Sequence, residues 1–352
     1  MRSRIILFIF ALLLGLWLGL GLGLGPGPDS PPPSGAGDLV NANSIEADDN
    51  RGYTLSGPLT KRVELRATWV NVGPGTISDL HIYVGVPPSL PEQEIHRITW
   101  SHRPTRYLYD RYGQRVADFA VGTLRPGERI TVGFTAVGRF WRIEYDIDPS
   151  EVGGLEEIPE GVARLYLADG PYYRVSDPLI VETARRAVGE EENPYLMALK
   201  LHDSVTEALD YELDGRWDDA ATVLRRGSGS CSEFTFLFIA LARAVGLPAR
   251  YAGGSIYVPS RASGGTFVDR TGHRWAEVYI PGYGWVPFDP TWDHPKAGGT
   301  VSHRFAGSHG YALVMDRGDL DPRYLGPSYI DMARGRGPAE LDREREVIWS
   351  DP

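Results

Sequence analysis

From Cys231 to Val245 the chain runs Cys-Ser-Glu-Phe-Thr-Phe-Leu-Phe-Ile-Ala-Leu-Ala-Arg-Ala-Val, and wound as a helix this stretch is apolar around nearly its whole circumference. Such a helix belongs inside a domain, with other elements packed around it. Gly246-Leu-Pro248 ends it, and Gly227-Ser-Gly-Ser230 leads into it. Cys231 is the only cysteine of the chain and stands at the N-terminus of this helix. Unpaired backbone N–H groups and the positive end of the helix dipole favour a thiolate there. The small residues just before it let a substrate backbone come close. A thiol serving only as apolar filler fits better mid-helix on an apolar face.

Upstream, Asn193-Pro194 reads as a helix start, with Asn as N-cap and Pro in the first helical position. Ala198, Leu201, Val205, Ala208 and Leu209 repeat at helical spacing and predict an amphipathic helix to about Tyr211. A short helix over 218–225 follows, ending at Gly227. Downstream, 249–257 reads as a strand, 259–265 as a Gly/Ser loop, and His273-Arg-Trp-Ala-Glu-Val-Tyr-Ile280 as a strand by its alternation. Pro281-Gly-Tyr-Gly284 turns the chain back into Trp285-Val-Pro-Phe-Asp289-Pro-Thr-Trp292. Pairing across that turn sets position 273 roughly opposite 289–292, the adjacency that a base and its orienting carboxylate need. A lone His at a strand start is ordinarily structural. The order Cys231, then His273 42 residues on, then Asp289 16 further, each on a suitable element, points instead to nucleophilic catalysis.

Residues 218–292 resemble the transglutaminase-like core of the papain-like cysteine enzymes. The motifs that carry the resemblance are Gly229-Ser-Cys231, Arg243-Ala-Val-Gly-Leu-Pro-Ala-Arg250, His273-Arg-Trp275 and Gly284-Trp-Val-Pro-Phe-Asp-Pro-Thr291. The resemblance implies an α+β fold in which a central Cys helix lies against an antiparallel sheet. It implies Cys231 as nucleophile, His273 as general base and acid, and Asp289 as the orienting carboxylate. Arg274 replaces the usual small residue after the His; on a strand it should point away from the base, with little effect. The backbone N–H of Cys231 is a natural oxyanion donor. Trp217 and Tyr211 are candidates for an upstream second donor, and each is equally explained as a core residue. The implied chemistry is acyl transfer on a Gln carboxamide or a peptide amide, with the thioester resolved by an amine or by water. Motifs do not choose between the two. Protein or peptide is the expected substrate, because the small-residue loop over 259–270 would border an open groove. No cofactor is implied, and His294, His303 and His309 are too loosely spaced to predict a metal site. A binding or scaffold protein retaining the fold is the alternative class.

Arg2 and Arg4 precede a run without charge from Ile5 to Leu24, whose 20 residues span about 30 Å as a helix, the thickness of a membrane core. It continues into Gly-Leu repeats and Pro26 without a convincing Ala-x-Ala cleavage site, and no cysteine follows it, so a signal anchor or signal peptide over 1–28 is expected and a lipoprotein signal is excluded. The basic N-terminus sets the remainder outside the cytoplasm, membrane-anchored, or secreted if the segment is cleaved. A Pro/Gly-rich linker follows over 29–48. Residues 49–150 alternate short strand-like runs with turns such as Asp110–Gly113 and Leu124–Gly127, which predicts an all-β, immunoglobulin-like sandwich. His81, His96 and His102 lie in separate segments and are expected to be structural. The layout is completed by a connecting segment at 151–185, the catalytic domain at 186–335 and a C-terminal tail at 336–352. Net charge is −10 and no basic block stands out, so nucleic acid is not an expected partner. One thiol permits no internal disulfide, so an exported fold of this sequence relies on core burial.

Overall fold

The computed structural model of the chain describes residues 4–5, 52–294, 307–319 and 323–352. Of the expected anchor only Arg4 and Ile5 fall among them, paired with Asp342 and Leu341, and the linker lies outside them. No helix among the described residues is long and apolar enough to cross a membrane.

The fold is mixed α and β. Its β-rich N-terminal region holds β1 Tyr53–Asn71, β2 Ile77–Gly85, β3 Gln93–Trp100, β4 Arg106–Tyr109, β5 Arg115–Leu124 and β6 Arg129–Tyr145. Then come helices α1 Glu160–Tyr166, α2 Pro178–Val188 and α3 Pro194–Ala208, strand β7 Asp210–Tyr211, helix α4 Ala220–Arg226, strand β8 Ser228–Gly229 and helix α5 Cys231–Ala244. The remaining strands are β9 Ala249–Ile256, β10 Phe267–Asp269, β11 His273–Ile280, β12 Gly284–Phe288, β13 Ser308–His309, β14 Ala312–Gly318, β15 Asp331–Arg336 and β16 Leu341–Ser350.

Two antiparallel sheets make up the β-rich region. Strands β16, β1 and β6 run side by side in one, with β3 also on β6, and β15, β2, β5 and β4 form the other. Alternation along each strand sends Val63, Leu65 and Phe134 inward from the first and Ile82, Val84 and Phe119 from the second, into one apolar cluster. Trp100 meets Phe119 and Phe134 edge-on at 5.5 and 5.4 Å. The stretches 130–137 and 140–145, which look like two runs in the sequence, are one continuous strand, β6. Strands β3 and β4 are mostly exposed and carry little apolar alternation, so sequence patterning does not reveal them.

This region is not closed within residues 49–150. The segment expected as a tail supplies β16, whose ten residues pair along β1 from Asn71 to Arg62. Strand β1 is 19 residues long and would otherwise present a long open row of backbone donors and acceptors. The run Asp342-Arg-Glu-Arg-Glu346 looks solvated, yet Leu341, Val347 and Trp349 on the same strand are buried. The stretch 151–185, expected as a connecting segment, contains α1 and the first eight of the eleven residues of α2. Asp177 caps α2 by accepting from the Leu179 N–H at 3.0 Å, and Pro178 occupies its first turn.

Helix α5 packs on a third antiparallel sheet, ordered β12-β11-β9-β14, with α2, α3 and α4 against its other sides. Phe234, Phe236, Leu237, Phe238, Ile239 and Leu241 are all buried, each contributing about 1.5–3 kcal/mol. The helix stops where Gly246 takes φ +86°, and the Leu247 N–H bonds the Ala242 carbonyl at 3.0 Å. Buried Arg243 fastens this end, donating to the Ala249 carbonyl at 2.7 Å and to Asp319 at 2.9 Å. Strand β14 is the edge of the sheet, and two glutamines from the β-rich region satisfy it. Gln93 bonds both the N–H and the carbonyl of Val314, at 2.7 and 3.2 Å, and Gln114 bonds the Met315 carbonyl at 3.0 Å.

Trp349 ties the two regions together. Its ring meets Phe140 of β6 edge-on at 5.0 Å, and its indole N–H donates to Ser255 of β9 at 2.9 Å. Trp349→Ala is expected to cost about 3–5 kcal/mol. Urea unfolding followed by circular dichroism and by tryptophan fluorescence should show one coincident transition at lower urea; two separate transitions would show that the regions unfold independently.

Candidate functional site

The site begins with a turn that sequence forces into place. Gly227 ends α4 in the left-handed conformation at φ +74°, a position that favours glycine. Strand β8 then pairs in parallel with β7, setting Gly229 beside Tyr211. A Cβ on Gly229 would lie 2.8 Å from the Cβ of Glu233, so this strand admits only glycine without a shift. Ser230 is the N-cap of α5, and the Glu233 carboxylate reaches back to accept its N–H at 2.9 Å. Glu233 is fully buried; its other oxygen accepts from Arg226 at 2.7 Å and from the Asp218 N–H at 3.3 Å. One carboxylate therefore locks the helix cap to the loop that carries Trp217. The Ser230-x-x-Glu233 spacing is legible as a capping box in the sequence, although its importance here comes from Arg226.

Strand β11 supplies the second group. Asp269 accepts the N–H groups of Thr271 and Gly272, both at 2.9 Å, and closes the turn that starts the strand at His273. Across the Pro281–Gly284 turn, Ile280 faces Gly284 and Ala276 faces Phe288, so the same register continued places His273 opposite Thr291. Asp289 leaves the end of β12 and reaches His273 Nε2 with Oδ2 at 2.5 Å, while Oδ1 accepts the Trp292 N–H at 3.1 Å. With Nε2 engaged by Asp289, Nδ1 is the ring nitrogen left to interact with the Cys231 thiol. Trp292 stands edge-on to the imidazole at 5.2 Å, and Trp275 stacks on it at 6.1 Å. The turn after Asp289 is held from behind by buried His202 of α3, paired with Asp293 at 3.1 Å. Cys231, His273 and Asp289 thus form one buried chain of contacts.

Burial alone would push the Cys231 thiol up. Its hydrogen bond to His273, the charge of His273 and the Arg274 guanidinium outweigh that and hold it below the usual thiol value. Burial likewise pulls His273 down, but the charge and hydrogen bond of Asp289, aided by Cys231, raise it to about 10. Both shifts favour a thiolate beside an imidazolium, the reactive form of a nucleophilic cysteine.

Tyr211 and Trp217 are placed differently. The Tyr211 phenol is pushed up to about 12 by burial and by the charges of Cys231 and Asp289, so it stays protonated beside the thiol. The Trp217 ring packs instead against the Arg274 guanidinium, 5.3 Å away. Arg274 points away from the base, as expected of its strand, but it enters the core and is only 1% exposed. The loop before β11 is fastened to the β-rich sheet: β10 pairs with β16, and Arg270 bonds Glu346 at 2.9 Å. His294 is buried with its ring edge-on to Phe234 at 5.6 Å, while His303 lies outside the described residues. His81 in the β-rich region pairs with buried Asp118 at 2.6 Å.

Iodoacetamide alkylation of Cys231, followed against pH, is expected to reach half its maximal rate below the ordinary thiol value of about 8.5. In His273→Ala, burial then acts without its main opponent, so the midpoint should rise above that value. The rate at pH 7 should fall at least about tenfold. An unchanged midpoint in the variant would contradict the electrostatic coupling described above.

Residues 181–290 match the sequence profile of the transglutaminase-like superfamily, a span that includes Tyr211, Trp217, Cys231, His273 and Asp289. The chain therefore carries a transglutaminase-like domain. An uncharacterised protein of Haemophilus influenzae is 30% identical over 171 residues, 41% of this chain and 46% of that protein. The uncharacterised protein YebA of Bacillus subtilis is 35% identical over 69 residues, 18% of this chain and 9% of that protein. The chain thus spans about half the length of the first of these curated relatives, 46%, and much less of the second. Among solved structures, a candidate cysteine protease from Cytophaga hutchinsonii superposes with a TM-score of 0.59 at 18% identity, over 83% of this chain and 92% of that one. That likeness is one of fold, and it extends over the β-rich region as well as the core.

Proposed function

We propose that this protein is a cysteine enzyme that transfers acyl groups from amides of proteins or peptides, through Cys231, His273 and Asp289. The observation that carries the reading is the buried His273, bonded to Asp289 at 2.5 Å and to Cys231 at the head of α5. The thiolate attacks the carbonyl carbon of a Gln side chain or a peptide bond, and the electron pair moves to oxygen. The Cys231 N–H and the Tyr211 hydroxyl donate to that oxyanion; Tyr211 is preferred to Trp217 because it sits beside the thiol. When the intermediate collapses, the imidazolium protonates the departing amine and a thioester remains. Water or a second amine then attacks the thioester, His273 takes its proton, and the thiol is released for another cycle. Asp289 stays ionised throughout and fixes the ring orientation.

We further propose that the enzyme works outside the cytoplasm, held by the segment over residues 5–24. The support is the length of that uncharged run and the two arginines before it. Fractionation with protease accessibility on intact cells is expected to find the body of the protein membrane-bound and digestible from outside; a soluble cytoplasmic protein would end this part of the reading.

The chemistry is tested by incubating the protein with a Gln-containing protein and a labelled amine, then reading amine incorporation, Gln deamidation and peptide cleavage by mass spectrometry. Incorporation marks a transglutaminase; deamidation or cleavage without it marks a hydrolase. Cys231→Ala should abolish every product while leaving the fold intact, and Tyr211→Phe should lower kcat by about 10²-fold, the usual cost of one oxyanion donor. Full activity in Cys231→Ala would remove the nucleophile assignment. Products from small amides alone would remove the assignment of protein or peptide as substrate. A wild-type protein blank in every readout, with an unreactive thiol, would instead favour a scaffold.

A further inference from the structure

We propose that the substrate's polypeptide chain runs from Cys231 across Leu90 into a cavity between the β-rich region and the sheet under α5, which holds an uncharged stretch about four residues from the reacting amide. The proposal rests on the reading of Cys231 as nucleophile and deepens it by placing a subsite. His273, Trp275 and Glu277 alternate along β11 and leave it on one face. Ala276, Val278 and Ile280 leave on the other and join the main core with α5, whereas Trp275 belongs to a separate cluster. On β9, Gly254, Ala252 and Arg250 stand directly opposite His273, Trp275 and Glu277. Beside the imidazole this face therefore carries only a glycine and an alanine, and Leu90 of the β-rich region fits over it. Leu90, Trp292 and Val258 pack on the Trp275 cluster and all three stay partly exposed. Trp292 also meets the imidazole edge-on at 5.2 Å, so this apolar ridge starts at the base itself.

Leu90 has a second role. With Pro88 and Ser89 it lines a cavity of about 420 Å³, within the ordinary size of a ligand pocket. Arg250 and Arg317 line the same cavity from the sheet, and Tyr109, 64% exposed, stands at its rim. Arg250 faces Glu277, four residues from His273, which is about 13 Å along the strand. One half-buried leucine thus lies between the surroundings of the imidazole and the cavity. An extended chain covers about 13 Å in four residues, so a peptide whose amide lies at Cys231 reaches the cavity with its fourth residue.

The cavity is built in advance of any ligand. Leu90 and Gln93 exchange backbone hydrogen bonds at 2.8 and 3.0 Å, and the Gln93 side chain donates to the Pro88 carbonyl at 2.7 Å. The same side chain accepts the Val314 N–H at 2.7 Å, which ties the loop to β14. Gln114 bonds the carbonyls of Val86 and Met315 at 3.2 and 3.0 Å and makes a second tie. No loop has to be ordered when a chain binds, which keeps the cost of binding low. The charges at the cavity are matched: Arg250 pairs with Glu277 at 2.7 Å, and Arg317 pairs with Glu92 and Glu277 at 2.7 and 2.9 Å. Two carboxylates answer two guanidinium groups, so a charged side chain entering here loses water without gaining an unmatched partner. Leu90, Pro88 and Tyr109 offer it apolar surface instead. An uncharged segment is the ligand that fits.

The test uses the full-length protein in detergent and peptides that carry an iodoacetyl group, whose iodide the Cys231 thiolate displaces to form a thioether. No other cysteine exists to react. One series carries the iodoacetyl group at the amino end of Gly/Ala/Ser peptides two, four and six residues long. The other carries it at the carboxyl end through an aminoethyl amide, so both chain directions are covered. The second-order labelling rate is expected to rise about tenfold from two to four residues in one of the series, and to lose that gain with Glu or Lys as the fourth residue. A label with benzoylphenylalanine in the fourth position is then irradiated, so that its ketone inserts into a nearby C–H bond. Mass spectrometry is expected to find the cross-link within residues 86–90 or 109–115. Rates independent of length in both series overturn the proposal, and so do cross-links found only outside those two segments. An equal gain with Glu or Lys overturns the selection for an uncharged segment. If iodoacetamide itself labels Cys231 with the pH midpoint of an ordinary thiol, the nucleophile reading fails; a lowered midpoint with flat peptide series defeats this proposal alone.

Discussion

The constraint on which the structure depends is the complete burial of α5. Thirteen of its residues, Cys231 through Arg243, are buried, so the helix must be enclosed by β9 and β11 on one side and by α2, α3 and α4 on the others. Enclosure leaves its N-terminus facing the first residue of β11 and the end of β12. Three buried polar side chains of this helix find partners within the core. Glu233 closes the cap, Thr235 bonds the Cys231 carbonyl at 2.8 Å, and Arg243 ties down the far end. A cysteine at the head of such a helix cannot drift, because the whole core would have to move with it.

The same need to leave no edge or polar group open explains why the β-rich region and the core form an interleaved fold. The sheet under α5 has an exposed edge at β14, and the long strand β1 has another. Gln93 and Gln114 of the β-rich region satisfy the first, and β16, from the C-terminal end of the chain, satisfies the second, so segments far apart in sequence complete the hydrogen bonding of both edges. Charged pairs at the seam, Arg250 with Glu277 at 2.7 Å and Arg317 with both Glu92 and Glu277 at 2.7 and 2.9 Å, are nearly enclosed. Buried pairs of this kind add little net stability, but losing one partner is costly, so they favour one arrangement of the two regions.

Around the thiol the electrostatics follow from position. The helix end, the imidazole raised by Asp289 and the guanidinium of Arg274 all lower the energy of negative charge on Cys231, against the penalty of burial. His202 and Asp293 stand behind the Asp289 turn. Each of these supports comes from a different segment of chain, and together they fix the cluster of Cys231, His273 and Asp289.

The local parts of this arrangement are legible in the sequence because they depend on short-range rules. An all-round apolar run with Gly before and Gly-x-Pro after it defines a buried helix and its ends. The Pro281–Gly284 turn fixes the register that brings His273 beside Asp289, since pairing across a tight hairpin leaves no freedom. Asp177-Pro178 is an equally local signal for α2, masked by the irregular, mixed-charge pattern around it. What tertiary structure alone decided involves partners far apart in the chain. The charged run from Asp342 to Glu346 on β16 looks solvated until β1 needs an edge covered, and Arg343 shows the point: its side chain is almost enclosed, against Asp331. Arg274 looks like a tolerated surface substitution until rings from Trp217, Phe236, Tyr251 and Tyr329 converge on it. No periodicity or spacing encodes such a convergence, because it exists only once the core has closed.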